Sequence, residues 1–125
     1  MIEITADILT ALVALEHLYI LWIEMFAWET RGRKAFKSIP ADLFPRTKGL
    51  AANQGLYNGF LAVGLIWSFL IRDMDWQINL RLFFLGCVVI AGIFGALTAA
   101  KKIFIIQALP AIIALTFVLI EMTSK

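Results

Sequence analysis

Three side chains capable of acid–base or ion-binding chemistry, Glu16, His17 and Glu24, sit inside an otherwise apolar run from Ala11 to Trp28. A charge near a bilayer centre costs at least about 2.5–3.5 kcal/mol, so such groups face protein or a water-filled space rather than lipid. At ~100° and ~1.5 Å per residue, His17 and Glu24 share one helical stripe about 10 Å apart along the axis, and Glu16 points about 100° away. A second set of hydrogen-bonding residues lies in Asn53-Gln54-Gly55-Leu56-Tyr57-Asn58-Gly59. Gln54 and Asn58 stack at i, i+4 and Tyr57 is i+3 from Gln54, which makes one polar face. Thr98 and Gln107 add single polar groups, and Pro110 follows Gln107. Pro110 has no N–H to offer the carbonyl of Ile106, which leaves that oxygen free for a side chain, water or ligand.

The elements that must position these residues follow from composition. The chain is 62% hydrophobic and only 16% charged, with a mean hydropathy of +0.88. A soluble domain is nearer ~45–50% apolar and ~25% charged, and a core of this size cannot hide the excess. The expected fold class is therefore all-α, a single four-transmembrane-helix bundle over residues 1–125 with spans at about 8–28, 50–71, 80–100 and 103–120. Each is long enough for a hydrocarbon core of ~30 Å. The first run is acidic rather than basic at its leading end (Glu3, Asp7) and reads as a retained span, not a cleaved leader.

Lysine and arginine set the expected orientation. Loop one holds Arg31, Arg33, Lys34, Lys37, Arg46 and Lys48, and loop three holds Lys101 and Lys102. The other side has only Arg72, Arg81 and Lys125. Loops one and three are thus expected in the cytoplasm and both termini outside. Loop one interleaves its cations with Phe36, Ile39, Leu43 and Phe44 and is broken by Pro40 and Pro45. It reads as an interfacial segment whose cations meet anionic headgroups while its aromatics dip below them. A lid over a ligand site is its alternative role. Loop two, Arg72 to Trp76, is expected to anchor at the interface through Trp76. The small-residue strips Ala51-Gly55-Gly59 and Ala91-Gly95-Ala99, the latter with Gly92 and Ala96 alongside, could face each other, or the span-three strip could instead make a homodimer contact.

These placements put Glu24, Gln54 and Asn58 near the cytoplasmic side, with Thr98 and Gln107 on its rim and Glu16-His17 as a floor. Two readings of the polar residues compete: a closed interhelical hydrogen-bond network, and a cytoplasm-facing pocket. Two carboxylates and an imidazole exceed what a passive network needs, which favours the pocket. The small net charge of +2 and its concentration in loop one point to phosphate headgroups and not to nucleic acid. One cysteine, Cys87, excludes an internal disulfide, and a lone histidine argues against a dedicated zinc site, so neither metal nor cofactor is expected.

The runs Leu15-Glu16-His17, Glu24-Met25-Phe26, Asn53 to Ala62, Gly95-Ala96-Leu97-Thr98 and Gln107 to Ala111 together resemble an uncharacterised family of small bacterial four-helix integral membrane proteins, a domain of unknown function. Some of its members are labelled "epimerase", but this chain carries no dinucleotide fingerprint. The resemblance implies a four-span fold and a multi-pass location in the bacterial plasma (inner) membrane. It supplies no substrate. The leading expectation is binding or translocation of a small molecule or ion in the polar seam, with a homodimer needed for a conduction path. A membrane-embedded acid/base isomerase acting on a lipid through His17 and Glu16 or Glu24 is the second. A structural or accessory subunit, with Trp22 and Trp28 facing outward, is the third.

Overall fold

A computed structural model describes the whole chain, Met1–Lys125. It is all-helical, and its frame is four long helices: α1 (Ile2–Phe26), α2 (Lys48–Leu70), α3 (Met74–Thr98) and α4 (Leu109–Thr123). A π-helical turn, Phe104–Ala108, leads into α4, so the helical segment Phe104–Thr123 is 20 residues long. That segment, α1 and α3 are each long and apolar enough to cross a membrane. Asn53, Gln54 and Asn58 dilute the hydropathy of α2, although its 23 residues match the others in length. Each helix packs on its two neighbours in a ring, α1 on α2 and α4 and α3 on α2 and α4, while the diagonals barely touch. Both termini and the Ile71–Asp73 turn lie at one end of the bundle, and the basic loops lie at the other.

The first three helices begin earlier than the apolar runs suggest. Asp73 caps α3, accepting a hydrogen bond from the Trp76 amide at 3.0 Å. This cap pulls Met74, Asp75 and Trp76 out of the expected loop two and into the first turn of α3. The small-residue strips also pair differently from expectation. A Cβ on Gly55 would lie 2.6 Å from Met25 Cγ and 3.1 Å from the Leu21 carbonyl, so this strip faces α1. One on Gly92 would lie 2.7 Å from the backbone nitrogen of Ala108. Gly92, alongside the α3 strip, thus seats the π-helical turn ahead of α4, and a Cβ on Gly95 of the strip would lie 3.0 Å from Ile103 Cγ2 just before that turn.

Loop one is also re-read by its packing. Trp28 heads a π-helical turn, Trp28–Gly32, and its indole is buried. Phe36 and Phe44 pack on it with ring centroids 5.4 and 4.9 Å away, and its Nε1–H donates to Thr47 Oγ1 at 3.1 Å. With Ile23 and Ala51 these residues form a small second core. The aromatics expected to dip into the headgroup region instead fold inward onto Trp28. Trp22 alone remains exposed of the pair expected to face outward.

The main core runs through the terminal half: Ala6, Val13, Leu65, Leu85, Ala114 and Val118 are among its buried members. Inside it lies a group that looked like an outer-side topology charge. Arg81, about 10 Å into α3 at ~1.5 Å per residue, is completely buried. Its Nη1 lies 2.7 Å from Asp7 Oδ1 of α1 and 4.0 Å from Glu121 Oε2 of α4. Its Nε donates to Ser68 Oγ of α2 at 3.2 Å, and its guanidinium lies 4.7 Å from the centre of the Phe69 ring. One side chain thereby touches all three other helices.

Removing one partner of a buried ion pair leaves an uncompensated charge and costs about 3–5 kcal/mol. We expect Arg81→Ala to lose stability on that scale in detergent, read as a lower unfolding midpoint, and Glu121→Gln added to it to recover part of the loss. An unchanged midpoint for Arg81→Ala would show that the ion pair does not hold the bundle. The glycines give an independent contrast. Gly92→Ala collides with backbone, whereas a Cβ on Gly86 meets nothing within 4 Å. Overpacking costs about 1–3 kcal/mol and an unopposed Gly→Ala change in a helix gains about 0.5–1, so Gly92→Ala should lower the midpoint and Gly86→Ala should not.

Candidate functional site

Away from Arg81, the basic end of the bundle is open. Two clefts meet there. The larger, about 560 Å³, lies beneath loop one between Trp28, Phe36, Ile39, Leu43, Leu50 and Ile103. The smaller, about 350 Å³, is more polar and lies between Glu24, Gln54, Asn58, Thr98 and Gln107, with Ile20 and Phe94 alongside. Glu24, Phe36, Gln54, Ala99 and Ile103 belong to both walls. Apolar walls with a few converging polar groups are the usual make-up of a small-molecule site.

Glu24 is the hinge of this arrangement. It comes from the last turns of α1, is 7% exposed, and accepts a hydrogen bond from Asn58 Nδ2 at 2.7 Å. The same amide nitrogen reaches the Gln54 carbonyl at 3.2 Å, so Asn58 is held by its own helix while it donates across to α1. Gly55 makes this possible, because a Cβ there would come within 3.0 Å of Glu24 Cβ. Glycine at this close approach is what lets α2 bring Asn58 to the carboxylate. The Oγ1–H of Thr98, in the wall of the smaller cleft, donates to the Phe94 carbonyl at 2.7 Å. Gln107 is carried by the π-helical turn before Pro110, where the helix lacks a donor and its regular hydrogen-bond ladder is interrupted.

Five of the eight residues singled out from sequence thus line one space: Glu24, Gln54, Asn58, Thr98 and Gln107. The other three stand outside it. Tyr57 is 63% exposed and packs edge-on against Phe60 on the outer surface of α2. A rotation of ~100° from Asn58 carries it off the face that meets α1. His17 is buried, and its Nδ1–H donates to the Val13 carbonyl at 2.9 Å. Glu16 is half-buried, with Oε1 lacking any hydrogen-bond partner. Neither Glu16 nor His17 lines either of these two clefts, and the α1 residue deepest in the smaller one is Ile20, one turn nearer the basic end.

Sequence reasoning missed Phe36 and Lys102. Phe36 reaches both clefts because loop one folds back over the bundle. The Nζ of Lys102, in the larger cleft, donates to the Ala35 carbonyl at 2.7 Å and ties loop three to loop one. No periodicity within either loop carries that contact, which spans 67 residues.

Comparison with known proteins agrees with the resemblance to an uncharacterised family. No solved structure matches the chain. A curated relative, the uncharacterised protein YpaA of Lactococcus lactis subsp. lactis (strain IL1403), is 34% identical over 110 residues, covering 86% of this chain and 91% of its own length. The model of the family described as "Protein of unknown function (DUF1304)" matches residues 11–119, which include all eight polar residues discussed above. This chain belongs to the DUF1304 family.

Proposed function

We propose that the chain is a four-span protein of the bacterial plasma membrane that binds a small molecule in the joined clefts at its basic end, with Glu24 as the polar anchor. One observation carries the reading: Glu24 is buried, held by Asn58, and present in the walls of both clefts. A buried carboxylate in a membrane helix is expensive and marks a functional site by default. Here it borders open space rather than a packed interface.

The ring supports four crossings. At 23 residues and ~1.5 Å per residue, α2 is about 34 Å long and is flanked by α1 and α3, which are apolar enough to span. A helix between two spanning neighbours has to share their course. The eight basic residues of loops one and three then favour a cytoplasmic basic end with both termini outside.

Binding is favoured over translocation because the terminal half beyond Ile20 is filled by the core and by Arg81. It is also favoured over isomerase chemistry. His17, the only imidazole, stands outside the ligand space with its Nδ1–H already committed.

Reporter fusions test the topology: a fusion after Lys125 should be active outside the cytoplasm, and one in loop one should be active inside. A thermal-shift screen of the detergent-solubilised protein against small molecules tests the site. A ligand at 100 times its Kd adds about 2.7 kcal/mol to folded-state stability. Compounds that raise the midpoint of the native chain should fail to raise that of Ala99→Trp, whose indole would fill space shared by both clefts. They should still stabilise Tyr57→Ala, altered only on the outer surface. Equal stabilisation of Ala99→Trp would overturn the reading.

A second variant probes the anchor itself. Asn58→Leu leaves the Glu24 carboxylate buried without its donor, at a cost of about 1–3 kcal/mol. We expect a lower midpoint for Asn58→Leu than for Glu24→Gln, whose amide oxygen still accepts the Asn58 hydrogen bond. The reverse order would show that the Asn58 contact does not satisfy Glu24.

A further inference from the structure

We infer that the ligand is an apolar organic cation, a protonated amine or an onium ion, with its charge seated between Glu24 and the Phe36 ring. The inference rests on the small-molecule reading above and adds the chemical class. Its argument is charge complementarity. The clefts contain two ionisable side chains in their walls, Glu24 and Lys102. Glu24 belongs to both clefts and is buried, so an anion placed there would meet a carboxylate with little water between them. Lys102 belongs to the larger cleft only and is exposed, and its ammonium group is bound to the Ala35 carbonyl.

The cations of loop one stand outside both clefts, where water screens them, whereas Glu24 is in the walls. Arg31 donates to the Tyr19 hydroxyl, Arg33 donates to the carbonyls of Glu29 and Ala41, and Lys48 pairs with Glu29. None of them lines either cleft. The aromatic wall points the same way. Phe36 borders both clefts, and Trp28, packed on it, borders the larger one. Ring faces attract cations and give an anion nothing. An apolar body in the 560 Å³ cleft and a cationic centre at its junction with the polar one match the apolar lining of the first and the Glu24 carboxylate shared by both.

The test is isothermal titration calorimetry of the full chain in a non-ionic maltoside detergent. Three probes are compared: tetraphenylphosphonium, neutral triphenylphosphine oxide, and the anion tetraphenylborate. We expect saturable tetraphenylphosphonium binding at one per chain, at least tenfold tighter than triphenylphosphine oxide, and none with tetraphenylborate. Glu24→Gln keeps the acceptor for Asn58 and should weaken tetraphenylphosphonium at least tenfold while leaving triphenylphosphine oxide within threefold. Phe36→Leu keeps an apolar wall and should cost the cation about threefold, which serves as the readout if Glu24→Gln does not fold.

Equal affinity of cation and neutral probe, preference for the anion, or unchanged cation affinity in both variants would each overturn the inference and leave the small-molecule reading standing. Absence of binding by all three probes would also overturn it, with the thermal-shift screen still deciding that reading. If Ala99→Trp bound all three probes like the native chain, they would be bound outside the clefts, and both the inference and the small-molecule reading would fail.

Discussion

A guanidinium sealed inside an apolar bundle constrains everything around it. Arg81 has no exposed surface, so its charge is balanced by protein alone. The partners come one from each of the other three helices, the diagonal α1 included: Asp7, Ser68 and Glu121. Breaking such a set is far more costly than never having built it. The arrangement therefore acts less as a source of net stability than as a statement of register. Asp7 must lie level with Arg81, and Arg81 level with Ser68 and Glu121, or a charge is stranded. Four helices with few other polar contacts in this half are placed along their axes by that requirement.

The same constraint makes the bundle asymmetric. With the terminal half fixed by Arg81 and filled by small and branched side chains, the helices cannot also converge on polar groups there. At the basic end the contacts are of another kind. Gly55 and Gly92 let backbones approach closely at two points, and loop one supplies its own small core around Trp28. What remains between these points is open, and Glu24 is the carboxylate left beside it. Closing one end and propping the other is how a four-helix bundle too small for a deep cavity still encloses usable space.

The all-helical architecture and most of the polar wall were legible in the chain, because both rest on local periodicity. Gln54 and Asn58 lie one turn apart on one helix face, and that spacing alone put them together. Glu24 could be matched to them by depth. The failures share one cause, which is that they depended on which helix each face meets. Tyr57 differs from Asn58 by one residue, and the direction of α1 decides which of them turns inward. The glycine strips were recognised as contact surfaces but assigned to the wrong partners for the same reason. Arg81 was misread because a charge seven residues inside a helix looks like an end anchor when the helix start is placed at Leu80. The Asp73 cap moves that start to Met74, and the arginine then falls within the bundle. The fold of loop one was not legible, because it rests on Trp28 gathering Phe36, Phe44 and Thr47 at spacings that follow no helical or strand period.

The separation of Glu24 from Glu16 and His17 bears most directly on mechanism. On one stripe of α1, in one polar seam, they would suggest a path along which a charge is handed inward. The structure divides them at Ile20. Glu24 faces the clefts, while His17 turns its Nδ1–H back to its own helix and Glu16 buries an oxygen with no donor. A relay across Ile20 would need a water or side chain to bridge the ~10 Å between His17 and Glu24 along the axis, and Glu16 points away from their stripe. A single carboxylate beside an open cleft is instead consistent with the proposed binding reading, in which a ligand would enter and leave by the same mouth. On that reading the unpaired oxygen of Glu16 belongs to the packing of α1 in the bundle.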